Sequence, residues 1–113
     1  MHSERIQIRR SRTARGISVL VPSGELDFNS APALQAAITA AGRLPCAVVD
    51  LSHITFIDST GITALLGAGR TLEEAGGWLR LCSIPETPLR AIELVGVDQV
   101  IDVYPTLDAA LQT

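Results

Sequence analysis

Aromatic residues are scarce in this chain of 113 residues, at 4% against 47% for hydrophobic residues as a whole. A core formed by such a chain is aliphatic, built from Leu, Ile, Val and Ala side chains. Apolar runs long enough to span a membrane are missing, and the N-terminus lacks the apolar stretch of a secretory signal. We therefore expect a cytoplasmic protein that folds as a single domain over residues 1–113, with no insertion into a membrane.

Cysteine is also rare, and its spacing excludes the common metal and redox motifs. The two cysteines, Cys46 and Cys82, lie 36 positions apart within apolar runs. Buried, reduced cysteines behave as small hydrophobic residues. We expect both thiols to be reduced and buried, and we expect neither a metal nor a cofactor.

Lysine is absent, and the nine arginines are unevenly distributed. Residues 1–15 carry five Arg and one Glu, a sum of +4, whereas residues 16–113 carry four Arg and eleven acidic residues, a sum of −7. An acidic body disfavours contact with a phosphate backbone, so nucleic acid is not an expected partner. The basic residues 1–15 are interpreted as a solvated strand and turn.

Five strands and four helices are predicted from the hydrophobic periodicity and the turn residues. The strands are placed at residues 6–8, at 17–21 before Pro22-Ser23-Gly24, and at 46–51, 78–83 and 100–103. The first helix is capped by Asn29 or Ser30 and ended by Gly42, and the second spans residues 59–75. A third begins at Thr87-Pro88, buries Leu89, Ile92 and Val95 and ends before Gly96, and a fourth runs from the cap Thr106 through Leu111.

The resulting order, β-β-α-β-α-β-α-β-α, predicts an α/β fold. After an opening hairpin, the sheet is expected to be mostly parallel, with right-handed crossovers. Within the second helix, Gly67 and Gly69 each cost about 1 kcal/mol relative to alanine. They are interpreted as sites of close approach, either to the sheet or to a partner.

Three consecutive residues that favour helix caps, Asp58, Ser59 and Thr60, precede Gly61 at the start of the second helix. One side chain is enough to satisfy the first free N–H groups, so the others remain available at an exposed turn. Taken alone, these residue types favour a simple cap. The alternative is a phosphoacceptor hydroxyl, because free N–H groups and the helix dipole stabilise an added phosphate.

Two segments resemble the STAS domain family, the anti-sigma factor antagonists. The stretch Phe56-Ile-Asp-Ser-Thr-Gly-Ile-Thr-Ala-Leu-Leu66 is similar to the family signature, and Gly24-Glu25-Leu26-Asp27 to its second common motif. The resemblance covers essentially the whole chain. It implies a STAS-type sandwich, with a mixed, mostly parallel sheet and about four helices.

By this resemblance, an anti-sigma factor that is a serine kinase phosphorylates Ser59, and a metal-dependent serine/threonine phosphatase reverses the modification. The unmodified form binds the anti-sigma factor and releases the sigma factor. Thr60 is the alternative acceptor. The partner-binding residues implied in this way are Glu25, Asp27, Asp58, Ser59, Thr60, Gly61 and Ile62. The resemblance also implies a monomer in the absence of a partner.

Other functions fit the sequence less well. A hydrolase built on Ser59, Asp58 and His53 lacks the Gly-x-Ser-x-Gly elbow, so no enzyme is predicted. The pair Gly67 and Gly69 lies in mid-helix and lacks the third glycine of a dinucleotide fingerprint. Within the family, a constitutive subunit of a lipid-transport or stress-signalling complex, without a phospho-switch, remains the alternative.

Overall fold

Residues 6–40 and 42–112 are described by the computed structural model of the chain, and within them lie six strands and four α-helices. The strands are β1 (Gln7–Arg12), β2 (Ser18–Leu26), β3 (Cys46–Asp50), β4 (His53–Ile57), β5 (Trp78–Cys82) and β6 (Asp102–Tyr104). The helices are α1 (Ala31–Thr39), α2 (Ser59–Glu74), α3 (Glu86–Val95) and α4 (Leu107–Leu111), with a 3₁₀ turn at Val97–Gln99. None of the helices described is long and apolar enough to cross a bilayer.

The strands form one sheet in the order β1-β2-β3-β5-β6, with β4 paired to β2. The hairpin β1–β2 is antiparallel and every other pair is parallel, which confirms the predicted α/β fold with a mixed, mostly parallel sheet. Strand β2 is nine residues long. Two strands, β3 and β4, pair with different parts of it along the same side. Its first three residues pair with β3, and its last four pair with β4.

Strand β4 was missed by the sequence prediction, which placed no helix or strand between Leu51 and Ser59. Its sequence has a weak strand pattern, because two of its five residues, Ile54 and Ile57, are buried and the other three are exposed. A tight turn joins it to β3: the Ser52 amide donates to Asp50 Oδ1 at 2.9 Å, and the Ile54 amide to the Leu51 carbonyl at 3.0 Å. Pairing with β2, a contact distant in sequence, is what makes this segment a strand.

The end of β2 was also predicted wrongly, since the strand continues through Pro22 and Gly24 instead of stopping there. Pro22 falls between the stretch of β2 that pairs with β3 and the stretch that pairs with β4, where a missing N–H costs no hydrogen bond on that side. Gly24 has a φ of 118°, and the register with β4 shifts between Gly24 and Glu25. Glycine permits this bulge at no steric cost.

The sheet separates two apolar layers, as the predicted sandwich requires. Ala47 and Val49 of β3 face the larger layer beneath α1, α2 and α3, whereas Cys46 and Val48 face a smaller layer beneath α4. Cys46 and Cys82 are buried, unpaired thiols, as predicted. Burial raises the pKa of Cys82 to about 11, an effect that a nearby Asp50 charge reinforces and a hydrogen bond with Ser83 opposes.

Two arginines on strands hold the C-termini of two helices that have no basic residue in their own last turns. Arg10 of β1 donates to the carbonyls of Ala37 at 2.7 Å and Ala40 at 3.1 Å, at the end of α1. Arg80 of β5 donates to the Ala110 carbonyl at 2.9 Å, and its guanidinium carbon lies 3.8 Å from the centre of the Trp78 ring. A cation at a helix C-terminus satisfies free carbonyls and opposes the negative end of the dipole.

The third helix ends at Gly96 as predicted, but its buried face differs from the prediction. Pro88 and Ile92 are buried, whereas Val95 is 60% exposed. Leu89 is half-buried. Gly96 has a φ of 88°, which ends the helix and turns Val97 into the core instead. The 3₁₀ turn that follows shortens the last strand, which begins at Asp102 and not at residue 100.

Three glycines of α2 mark close approaches to other elements. A Cβ added at Gly69 would lie 3.3 Å from Ile101 Cδ1, and one at Gly67 would lie 2.7 Å from Gln35 Nε2 on α1. The two glycines therefore allow α2 to approach the sheet side and α1, respectively. At Gly61 the obstacle is backbone: a Cβ would lie 2.6 Å from the Leu26 carbonyl oxygen at the end of β2.

We predict opposite effects of alanine at two of these positions. Gly61→Ala should lower the free energy of unfolding by about 2 kcal/mol, because backbone must move to admit the methyl group. Gly67→Ala is the matched control, since the end of the Gln35 side chain can rotate away and alanine favours the helix by up to about 1 kcal/mol. Denaturant unfolding measures both, and equal losses for the two variants would contradict the packing described.

Candidate functional site

The two motifs singled out in the sequence meet where β2 and β4 end. Leu26 pairs with Ile57 in the parallel ladder, so the residues that follow them, Asp27 and Asp58, emerge side by side. The Asp58 amide also donates to the Leu26 carbonyl at 3.2 Å, which extends the pairing by one residue. We call this end of the sheet, formed by residues 24–30 and 55–62, the carboxyl edge. The site therefore joins segments about thirty positions apart in the chain, as the Leu26–Ile57 pairing shows.

Asp58 is the residue that caps α2. Its backbone is extended, with φ −115° and ψ −174°, and its Oδ1 accepts a hydrogen bond from the Gly61 amide at 3.0 Å. The Ile62 amide closes the first helical turn onto the Asp58 carbonyl at 3.0 Å. A carboxylate at this position both satisfies a free N–H group and interacts favourably with the helix dipole. The capping requirement of the helix is thus met without Ser59.

Ser59 is exposed as the first residue of α2, whereas Thr60 is half-buried. In the part of the chain that the structure describes, the Ser59 hydroxyl makes no hydrogen bond. The amides of Ser59 and Thr60 begin the helix and have no intrahelical acceptor. The hydroxyl therefore stands beside two free N–H groups at the positive end of a 16-residue helix.

Asp27 organises the neighbouring loop between β2 and α1. Its Oδ1 accepts from the Asn29 amide at 2.9 Å and from the Ser30 amide at 3.2 Å. Ser30 occupies the N-cap position of α1, but its hydroxyl does not cap the helix as predicted. It donates to the Glu25 carbonyl at 2.6 Å and accepts from the Asp27 amide at 2.9 Å. These bonds fix the loop internally.

The remaining predicted site residues divide by burial. Glu25 is exposed near the end of β2 and pairs with Phe56 of β4. Gly61 is buried against Leu26, and Ile62 is 5% exposed and packs into the larger layer. At the surface, the carboxyl edge thus presents Glu25 and Ser59, with Asp27, Asp58 and Thr60 half-buried between them.

Two exposed phenylalanines at the carboxyl edge were missed as site residues. Phe28 is 75% exposed in the loop after β2, and Phe56 is 47% exposed on β4. They are the two phenylalanines of a chain with 4% aromatic residues. Each phenylalanine lies within two residues of a motif aspartate, and this position could have marked both as site residues. Their exposure, however, is visible only in the fold.

The structure does not bring His53 next to Ser59. His53 begins β4 and Ser59 follows its far end, and the four steps from His53 to Ile57 alone span about 13 Å. A catalytic base must lie within hydrogen-bond reach of its nucleophile. Among residues 6–40 and 42–112, no group of three His, Cys, Asp or Glu side chains is arranged to hold a metal ion.

Substitutions at the start of α2 should separate capping from the free hydroxyl. We expect Asp58→Ala to lower the free energy of unfolding by about 1 kcal/mol, because the Gly61 amide loses its acceptor. Ser59→Ala should change it by less than about 0.5 kcal/mol, because no hydrogen bond is lost. Thermal or denaturant unfolding provides the comparison. A loss at Ser59 as large as that at Asp58 would show that the serine also serves as a cap.

The comparisons with known proteins agree with this arrangement. The STAS domain family model matches residues 9–110. The chain is 32% identical over 100 residues to the anti-sigma-F factor antagonist RsfB of Mycobacterium tuberculosis, covering 85% of this chain and 80% of that protein. It is 25% identical over 91 residues to the anti-sigma-B factor antagonist of Bacillus subtilis, covering 80% of this chain and 84% of that protein.

A crystal structure of an anti-sigma factor antagonist from Mycobacterium paratuberculosis shares the fold, with a TM-score of 0.83 and 36% sequence identity. The match covers 94% of this chain and 91% of that one. The family match spans most of the chain and includes both motifs that form the carboxyl edge. The chain therefore belongs to the STAS domain family.

Proposed function

We propose that this chain is an anti-sigma factor antagonist switched by phosphorylation at Ser59. In its unmodified form it binds an anti-sigma factor that is a serine kinase, and the sigma factor held by that protein is released. The observation that carries the proposal is the division of roles at α2: Asp58 caps the helix, which leaves an exposed Ser59 hydroxyl beside two free amides.

The relatives support this role through the functions in their names. The mycobacterial and Bacillus proteins are both named anti-sigma factor antagonists, and each aligns with at least 80% of this chain. Each of those names describes a binding function, so we propose binding and not catalysis for this chain. We further propose that one domain spans residues 1–113, and that it acts in the cytoplasm as a monomer until it meets its partner.

The chemistry of modification is simple at this position. The Ser59 Oγ forms a bond to the γ-phosphorus of ATP, the bond to the β-γ bridging oxygen breaks, and ADP leaves. We assign to the kinase the base that takes the hydroxyl proton. Exposure favours Ser59 over Thr60, whose side chain is half-buried.

The added phosphate carries roughly −1.5 to −2 charges at neutral pH. The free amides and the dipole of α2 stabilise that charge, so the fold is preserved. A kinase, however, faces Ser59 with the phosphates of its own bound nucleotide, and two anionic groups then oppose each other across the interface. A metal-dependent serine/threonine phosphatase removes the phosphate and restores binding.

The proposal predicts the behaviour of three baits in affinity capture from the native cell lysate. Wild type and Ser59→Ala should capture an ATP-binding anti-sigma factor kinase, and Ser59→Asp should not, because its carboxylate places charge at the interface. With the captured kinase purified and ATP added, intact mass should show one phosphate, about 80 Da, on wild type and none on Ser59→Ala.

Thr60→Val is the matched control, since it removes the neighbouring hydroxyl while leaving Ser59 in place. It should still gain one phosphate. Capture of the same partner by all three baits would overturn the switch, and so would capture of a transport ATPase. Either result would identify the chain as a constitutive subunit instead.

A further inference from the structure

We propose that Phe28 and Phe56 are the two apolar anchors that dock the anti-sigma factor kinase over Ser59. This inference rests on the proposed function and adds the residues that provide the affinity for the kinase. Neither phenylalanine belongs to the partner-binding set predicted from the sequence. The occupant is one partner of defined chemistry: a surface with apolar pockets bordered by basic side chains.

Position is the first argument. Phe28 lies two residues after Leu26, and Phe56 lies one residue before Ile57, so the anchors flank the pair that closes the β2–β4 ladder. Ser59 follows Phe56 by three residues, at the start of α2. A partner that contacted both phenylalanines would therefore dock at the end of the sheet that carries Ser59.

Preorganisation is the second argument. The 75% exposure of Phe28 occurs on a loop fixed by the hydrogen bonds of Asp27 and Ser30, and not on a loose segment. Phe56 belongs to β4 and pairs with Glu25 of β2. Aromatic anchors on a fixed backbone lose little conformational freedom on binding, which is typical of residues that dominate interface affinity.

Charge identifies the kind of partner. The carboxyl edge, residues 24–30 and 55–62, contains three carboxylates, those of Glu25, Asp27 and Asp58, and no basic residue. An aromatic pair set in an acidic surface is complementary to pockets bordered by Arg or Lys. The kinase then presents two regions: a basic rim for the carboxylates, and the phosphates of its nucleotide opposite Ser59.

The chain also offers an internal comparison at the opposite end of the sheet. Helix α3 connects the parallel strands β5 and β6, so it runs from the carboxyl edge back to the other end of the sheet. Its last turn carries Leu94, which is 86% exposed. This residue is apolar and more exposed than either phenylalanine, but it lies away from Ser59, so it serves as a matched control.

The test measures phosphorylation kinetics with the purified kinase identified by capture, at saturating ATP and varied concentration of the antagonist. Phe28→Ala and Phe56→Ala should each raise KM by about tenfold or more, as hot-spot truncations do. The value of kcat should be unchanged, because neither side chain touches the reacting atoms. Leu94→Ala should leave both constants unchanged.

Folding is checked on the same samples by denaturant unfolding, and Phe28→Ala keeps the test decisive because three quarters of that side chain is already exposed. If the wild type is phosphorylated normally and both phenylalanine variants have the KM of the wild type, the two residues are not anchors. The proposed function would then still stand. Failure of the wild type to be phosphorylated by any captured kinase overturns both. Sedimentation tests the remaining occupant, a second copy of the chain. If the wild type sediments as a dimer and Phe28→Ala as a monomer, the surface of Phe28 and Phe56 binds that second copy, which overturns the kinase as its occupant.

Discussion

The parallel pairing of the last residues of β2 with β4 is the constraint on which the site depends. Leu26 and Ile57 are partners in that ladder, and the Leu26 carbonyl accepts the amide of Asp58. The same carbonyl oxygen lies 2.6 Å from the position that a Cβ of residue 61 would take, so the first turn of α2 fits against β2 only because residue 61 is glycine. If this pairing shifted by one residue, Asp58 and Ser59 would lose their positions relative to the loop of Asp27.

At the carboxyl edge, some side chains stabilise the local backbone, and others remain available for modification or for a partner. Asp58 and Asp27 each accept backbone amides at the start of a helix or loop, so they stabilise the local backbone. Ser59 is neutral, exposed and next to unpaired amides, which makes it the position where new charge is stabilised by the fold. In the proposed switch, the same charge opposes a partner that carries nucleotide phosphates. The proposed modification would thus change binding strongly and stability little, which is what a reversible switch requires.

The sequence was sufficient to predict much of this arrangement, and its failures have physical causes. The predicted helix from Ser59 and the caps at Gly96 and Thr106 depend on local side-chain chemistry, and the structure confirms them. Strand β4 and the continuation of β2 depend on a pairing between segments about thirty positions apart, which leaves no local pattern. The sequence also did not show that the Ser30 hydroxyl bonds within its own loop or that Phe28 is exposed. The motif could be located from the sequence, but not the aromatic surface that surrounds it.

The most direct test of the account compares the unmodified protein with protein that carries phosphoserine at position 59, in stability and in affinity for the purified anti-sigma factor. The account predicts that the free energy of unfolding changes by less than about 1 kcal/mol, because the helix terminus accommodates the phosphate. It also predicts that Kd for the partner rises by at least about tenfold, which corresponds to about 1.4 kcal/mol. Unchanged affinity, or an affinity loss accompanied by a matching loss of stability, would contradict it.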